Sequence, residues 1–272
     1  MGLRINTNIA AINAARTLRG TTRQLNTTLE RLASGLRINR AADDAAGLAI
    51  SEGFRTVIRG SAVAQRNSQD GISLVQTAEG ALSEATNILQ RMRELAVQAA
   101  NGTQSTANRE SLDLEVKQLL QQLDDIAFDT EFNGLCVLSS AQTITLQAGF
   151  RAGQTIEIAV AGASTANLGV TTVSLSTMEA AVSSLAILDA AIQSVSQLRA
   201  TFGAVQNRLE FTMNSLAITE ENASASDSAL RDADIATETI QFTRTQILIS
   251  SGTAVLAQAN LVPQTALQLL GG

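Results

Sequence analysis

A chain of 272 residues that is 45% hydrophobic but only 3% aromatic, with no Trp, Tyr or His, does not fill a globular core in the usual way. Long helices packed side by side manage with Ala, Leu, Ile and Val, and the single proline, Pro263, leaves room for them. The lack of His removes His-based acid–base chemistry and the commonest metal ligand, one Cys excludes an internal disulfide, and a net charge of −6 without a dominant basic patch argues against nucleic acid.

The opening residues Met1 to Asn8 contain no apolar core stretch, so no secretory signal peptide is expected. Leu18, Leu25, Leu29, Leu32 and Leu36 then follow near-heptad spacing, with Ala11 and Ala15 extending the stripe backwards. This spacing predicts a coiled-coil seam. Gly35 interrupts it, and residues 36–42 read as a linker. Asp43 and Asp44 stand where a helix start favours acidic caps, with Arg37 or Arg40 as ionic partners.

From about 45 to 100 the apolar spacing is helical, as in Leu74, Ala78, Leu82, Ala85, Ile88, Met92 and Leu95. A helix of that length is about 80 Å long. Gly53, Gly60, Gly71 and Gly80 are its weak points. Asn101-Gly102 ends it, and a second helix at about 105–128 folds back antiparallel. Asp124 and Asp125 read as a solvated face of that helix. Phe132-Asn133-Gly134 reads as a turn, and Cys136, in the apolar run Leu135 to Leu138, as a small buried hydrophobe.

Residues 143–147 and 155–160 alternate apolar with polar, a hairpin signal joined by 148–154. Helical spacing returns from Met178 to about Thr219. Asp232 and Asp234 are placed to cap a last helix. In that helix Ile240, Ile247, Ala254 and Leu261 repeat every seven residues, as do Leu248, Val255, Val262 and Leu269, and also Phe242, Ile249 and Leu256. A two-stranded seam uses only two apolar positions per heptad. This helix therefore requires cover on more than one side, from the first segment and from neighbouring molecules. Its uncharged stretch after Arg244 carries Gln246, Ser250, Gln258 and Asn260, polarity too costly for lipid, so membrane insertion is not expected.

The expected fold is mainly α, with long antiparallel helices, a coiled coil made of the two chain ends and a small β-hairpin region at about 135–177. No enzyme, cofactor or metal is expected. The paired aspartates are adjacent and diverge, and the only Lys, Lys117, follows Val116 and so cannot belong to a phosphate loop.

Several colinear motifs carry a resemblance: Ile5-Asn6-Thr7-Asn8, LASGLRINRAADDAAGLAI (Leu32 to Ile50), AEGALSE (Ala78 to Glu84), LQRMRELAVQ (Leu89 to Gln98), FGAVQNRLE (Phe202 to Glu210), SALRDADIATE (Ser228 to Glu238) and SGTAVLAQANLVPQ (Ser251 to Gln264). Across nearly its full length the chain resembles bacterial flagellins in a short form without large outer domains. Gly271-Gly272 stands where flagellins often end in Leu-Leu-Arg, and Ala42 replaces a frequent Lys.

The resemblance implies an inner core domain of about 1–43 and 233–272 and an outer core domain of about 44–232. It implies polymerisation into the extracellular filament that serves as the swimming propeller, through helices bearing Leu18, Leu25, Leu29, Leu32, Ile240, Ile247, Leu248, Val255, Leu256 and Val262. It implies export by the flagellar secretion apparatus, with an export chaperone, cap proteins and hook–filament junction proteins as partners. It also implies that Arg91, Leu95 and Glu115 form the patch read by the vertebrate Toll-like flagellin receptor, and that 31–50 is the segment sensed by plants. Helical spacing puts Arg91 and Leu95 on one face, and an antiparallel return sets Glu115 level with them. Intersubunit packing with a salt bridge is the alternative for that patch. The alternatives for the whole chain are a hook–filament junction protein and a monomeric immune ligand or adhesin. The zinc protease insert of some flagellins needs two His and is excluded.

Overall fold

The computed structural model describes residues 7–270, and side chains as far as Leu261. Its elements in chain order are α1 (Ile9–Ser34), α2 (Ala45–Ala99), α3 (Thr106–Asp129), β1 (Glu131–Phe132), β2 (Leu135–Cys136), β3 (Gln142–Gln147), β4 (Thr155–Val160), α4 (Met178–Arg231) and α5 (Ile235–Leu270). The mainly α expectation holds. Helix α4 runs on to Arg231 instead of stopping near 219. Its apolar spacing fades after Leu216, yet no Pro or Gly follows to break it, and polar contacts take over. The chain divides into two units, one of residues 1–56 and 222–272 and the other of residues 57–221. The first boundary falls later than residue 44 because the start of α2 packs with the end of α4. There Ser51 donates to the Asp227 carboxylate at 2.6 Å.

In the first unit α1 and α5 run antiparallel, tied at one end by Arg31 to Glu238 at 3.0 Å and at the other by the Asn8 amide donating to the Ala259 carbonyl at 2.7 Å. Asn8 also caps α1 by accepting from the Ala11 amide. Leu18, Leu25 and Leu32 are half-buried in the seam, opposite Phe242, Ile249 and Leu256. Leu29 is not in it. It is 45% exposed, and Thr28, one position earlier, is the buried residue. The step from Leu25 to Thr28 to Leu32 keeps to one face, whereas Leu29 is rotated by about 100° from Thr28. Val262 belongs to α5, but its side chain lies outside the described residues.

Gly35 ends α1 at φ +70°, the left-handed conformation glycine adopts at little cost. Residues 36–40 are an ordered strap rather than a loose linker. The Arg37 amide donates to Arg231, the Ala233 amide to Gly35, and Ile38 is fully buried. Asp44 caps α2 by accepting from the Gly47 amide at 2.8 Å, as expected. Asp43 does not pair with the Arg37 or Arg40 side chains. Its carboxylate accepts the Arg40 and Asn39 amides, which hold its pKa below the usual range, while Arg40 reaches Glu30 and Arg37 reaches the Leu230 carbonyl. At the start of α5 Asp234 alone does the capping, through the Ala236 and Thr237 amides; Asp232 instead accepts from the Ser228 hydroxyl.

In the second unit α2 and α4 are antiparallel, as Arg93 to Asp189 (2.6 Å) and Gln65 to Glu220 (3.0 Å) show. The core is a ladder of small and branched residues, including Ala78, Leu82, Ala85, Leu89 and Met92 of α2, Val116 and Leu123 of α3, and Leu188, Ala191 and Val195 of α4, with Phe202 buried among them. Helix α4 is long and apolar enough to cross a membrane by composition, and part of its apolar surface, including Leu188, Ala191, Val195 and Phe202, is turned into the core.

Strands β3 and β4 form the expected hairpin, with Gln142 opposite Val160 and Gln147 opposite Thr155. Ile156, Ile158 and Val160 point inward. Gly60 and Gly71 are notches for this hairpin rather than weak points. A Cβ on Gly71 would strike Leu146, and one on Gly60 would lie 2.8 Å from the Phe150 Cβ. Asn133 (φ +52°) and Gly134 (φ +76°) make the tight turn between β1 and β2.

Two expectations change here. Cys136 is exposed, because β2 crosses the surface and only Val137 and Leu138 of its apolar run enter the core. Asp124 is half-buried and accepts both the amide and the hydroxyl of Thr165, at 2.8 and 2.9 Å, while Asp125 stays exposed. Lys117 is paired, 2.8 Å from Asp113. Asp113 and Asp124, three turns apart on α3, together pin the non-helical stretch 161–177.

Candidate functional site: two interaction surfaces

The first surface is the outer side of α5. Its seam toward α1 uses Phe242, Thr245, Ile249 and Leu256. Among the described side chains its other large apolar positions are left uncovered. Ile240, Ile247, Leu248, Val255 and Leu261 are all exposed, the first two at 70% and 61%. Ile240, Ile247 and Leu248, with Thr239, Thr243 and Arg244, line a shallow groove of about 440 Å³. Scattered exposed Leu and Ile are ordinary, but a continuous row along a helix marks an interaction face. The sequence called for a helix covered on two sides, and the structure supplies one cover only. Of the residues singled out for polymerisation, Leu18, Leu25, Leu32 and Leu256 hold the intramolecular seam, Ile240, Ile247, Leu248 and Val255 face outward, and Leu29 is exposed outside the seam.

The second surface belongs to the other unit. The turn after α2 is closed by Arg109, which donates to the Ala99 and Asn101 carbonyls, and by Ser105, which caps α3. The antiparallel return then sets Arg91 against Glu115, as the residue spacing predicted. The Arg91 guanidinium reaches Glu115 at 2.9 Å and Glu94 at 3.1 Å. These carboxylates, Glu115 first, raise its pKa further above the ordinary Arg range. Glu94 was missed by the sequence reading, although its place one turn from Arg91 was legible. Leu95 does not share this surface. It is 1% exposed and belongs to the core, one turn after Met92 and two turns after Ile88, which packs against the same core. An exposed ionic bridge of this kind contributes little to stability. It presents one cation flanked by two anions to whatever docks there.

Neither surface assembles a nucleophile with a base. Comparison with known proteins agrees with the motifs. The family model "Bacterial flagellin N-terminal helical region" matches residues 5–143, and "Bacterial flagellin C-terminal helical region" matches residues 185–270. The chain is 45% identical to a flagellin of Halalkalibacterium halodurans, over 98% of this chain and 99% of that protein. It is 42% identical to the flagellar filament 33 kDa core protein of Treponema phagedenis, over 98% and 99%. A solved flagellar hook-associated protein of Vibrio parahaemolyticus shares the fold, with a TM-score of 0.59 over 70% of this chain and all of that one, but at 13% identity the likeness reaches no further. Both ends of the chain match the family and its relatives span its whole length, so the chain belongs to the bacterial flagellins, structural and non-enzymatic subunits of the flagellar filament.

Proposed function

We propose that copies of this subunit join through the first unit, as an inner core, with α5 as the joining helix. The observation that carries this is the uncovered row Ile240, Ile247, Leu248, Val255 and Leu261 on a helix whose other apolar side is already taken by α1. Burying such side chains between copies is worth about 1.5–3 kcal/mol each. Removal of residues 235–272 is expected to leave a folded helical monomer by circular dichroism that forms no filaments in electron micrographs; normal filaments from that truncation would sink the proposal. In this reading the subunit leaves the cell through the flagellar export apparatus. An export chaperone, the filament cap and the hook–filament junction proteins are its partners there.

A second role is supported by the Arg91 surface. We propose that monomers engage the vertebrate Toll-like flagellin receptor through Arg91 and Glu115, with Leu95 acting from beneath by fixing the helix that carries Arg91. Buried Arg anchors dominate many interfaces, so Arg91→Ala is expected to cost about 2 kcal/mol of binding, roughly a thirtyfold loss of potency in a reporter-cell assay. Equal potency of folded wild-type and Arg91→Ala monomers would leave this surface with packing alone.

A further inference from the structure

The pair Asn-Gly occurs twice, at 101–102 in the turn between α2 and α3 and at 133–134 between β1 and β2. Both pairs are exposed, so water and hydroxide reach them. Their surroundings differ. The Asn101 side-chain oxygen, Oδ1, accepts the Thr103 amide at 3.2 Å. That bond closes a small ring holding both the Asn101 Cγ and the Gly102 nitrogen, and folds the side chain back over the next peptide. The Asn101 main-chain carbonyl accepts two donors, the Arg109 guanidinium at 3.0 Å and the Gln104 amide at 3.1 Å. Among the described residues the Gly102 amide and the Asn101 Nδ2 donate to nothing. Asn133 has no such setting. No hydrogen bond engages its side chain among the described residues. Its backbone is fixed with Gly134 in a two-residue turn, at φ +52° and +76°, closed by the pairing of Phe132 with Leu135.

We propose that Asn101 is a self-modification site, deamidated through the Gly102 amide in a step that the fold accelerates. Hydroxide removes the Gly102 N–H proton, and the resulting negative charge is shared with the Asn101 carbonyl oxygen, where Arg109 and Gln104 donate. The nitrogen then attacks the Asn101 Cγ, and the charge moves to Oδ1, where Thr103 donates. Donors set in place where charge develops lower the barrier, and the closed ring keeps the reacting atoms together. The adduct expels Nδ2 as ammonia, which takes its proton from water and returns the hydroxide. A cyclic imide now joins Cγ to the Gly102 nitrogen. Water opens it at either carbonyl and leaves an aspartyl or isoaspartyl residue at position 101. The new carboxylate lies at the end of α2, where the helix dipole disfavours an anion. The isoaspartyl form also adds a methylene to the backbone of the turn that sets Arg91 level with Glu115.

The test is incubation of the full chain at mildly alkaline pH, folded and in urea, followed by trypsin and mass spectrometry. The peptides 94–109 and 118–151 carry Asn101 and Asn133 separately, and fragment ions place the modification within each. Asn101 is expected to deamidate about tenfold faster in the folded chain than in urea. Asn133 is expected to deamidate more slowly folded than in urea, because its turn must open first. An Asn101 that reacts no faster folded than in urea overturns the proposal. The Arg109→Gln variant, shown folded by circular dichroism, is expected to bring the folded rate at Asn101 down to the rate in urea; an unchanged folded rate overturns the acceleration. Gly102→Ala is the second variant. A Cβ there meets nothing within 4 Å and the backbone is not left-handed, so the fold tolerates it. Restricting that residue is expected to slow the folded reaction about fivefold. An unchanged rate in Gly102→Ala overturns attack by the nitrogen at position 102.

Discussion

Replacing Ile247 and Leu248 by Asp is expected to raise the critical concentration for filament growth by at least about a thousandfold while leaving the monomer folded. Both side chains are exposed in the subunit, at 61% and 47%, so their loss removes little intramolecular contact. If they are buried between copies, each contributes about 2 kcal/mol, and two together correspond to about a thousandfold in an association constant. The introduced carboxylates add a further penalty, since a buried charge without a partner costs several kcal/mol. Leu256→Asp is the contrasting change. It lies in the seam with α1, so it is expected to loosen the coiled coil of the monomer as well, with loss of helical signal. Growth of normal filaments from the Ile247→Asp/Leu248→Asp protein would show that α5 is not the joining helix.

The sequence made the elements legible because long helices repeat their signal. Over α2 the apolar spacing recurs through many turns, and the hairpin strands alternate cleanly against Gly and Gln turns. The errors came where a single residue's direction mattered. Near-heptad spacing places Leu29 in the seam, and the resemblance places Leu95 in the Arg91 patch. A one-residue shift on a helix turns a side chain by about 100°, which moves Leu29 out of the seam and leaves Thr28 in it. Leu95 continues the apolar spacing of Ile88 and Met92, a periodicity already visible, so its burial was within reach of the sequence. Cys136 and Asp124 were not. Their environments are set by the non-helical stretches 133–141 and 161–177, which carry no repeat and whose path depends on partners far along the chain. The glycines of α2 illustrate the same limit. Gly60 and Gly71 look like defects in a helix until the hairpin against them is known.

The carboxylate of Asp113 is the firmest of these long-range ties, and its removal is expected to be felt by the whole second unit. It is largely buried and accepts the Leu175 amide at 2.7 Å, the Ser174 hydroxyl at 3.1 Å and the Lys117 ammonium at 2.8 Å. Burial pushes its pKa up, but the Lys117, Leu175 and Ser174 donors outweigh that push and hold it below the ordinary Asp value. A depressed value in the folded state means that the fold favours the charged form. The stabilisation is full above the ordinary Asp range and fades as pH falls through the folded value. Asp113→Asn is therefore expected to cost about 2 kcal/mol at neutral pH, seen as a fall in Tm of roughly 4–8 °C. The gap between the two proteins should narrow below about pH 4 as the wild-type carboxylate protonates. Lys117→Met is expected to cost less, under about 1 kcal/mol, because the ammonium is mostly exposed and screened. Thermal unfolding followed by circular dichroism across this pH range decides the matter. Equal Tm values for wild type and Asp113→Asn at neutral pH would mean that the stretch 161–177 is held by its buried apolar residues, Ala163, Val170, Val173 and Leu175, and not by the carboxylate.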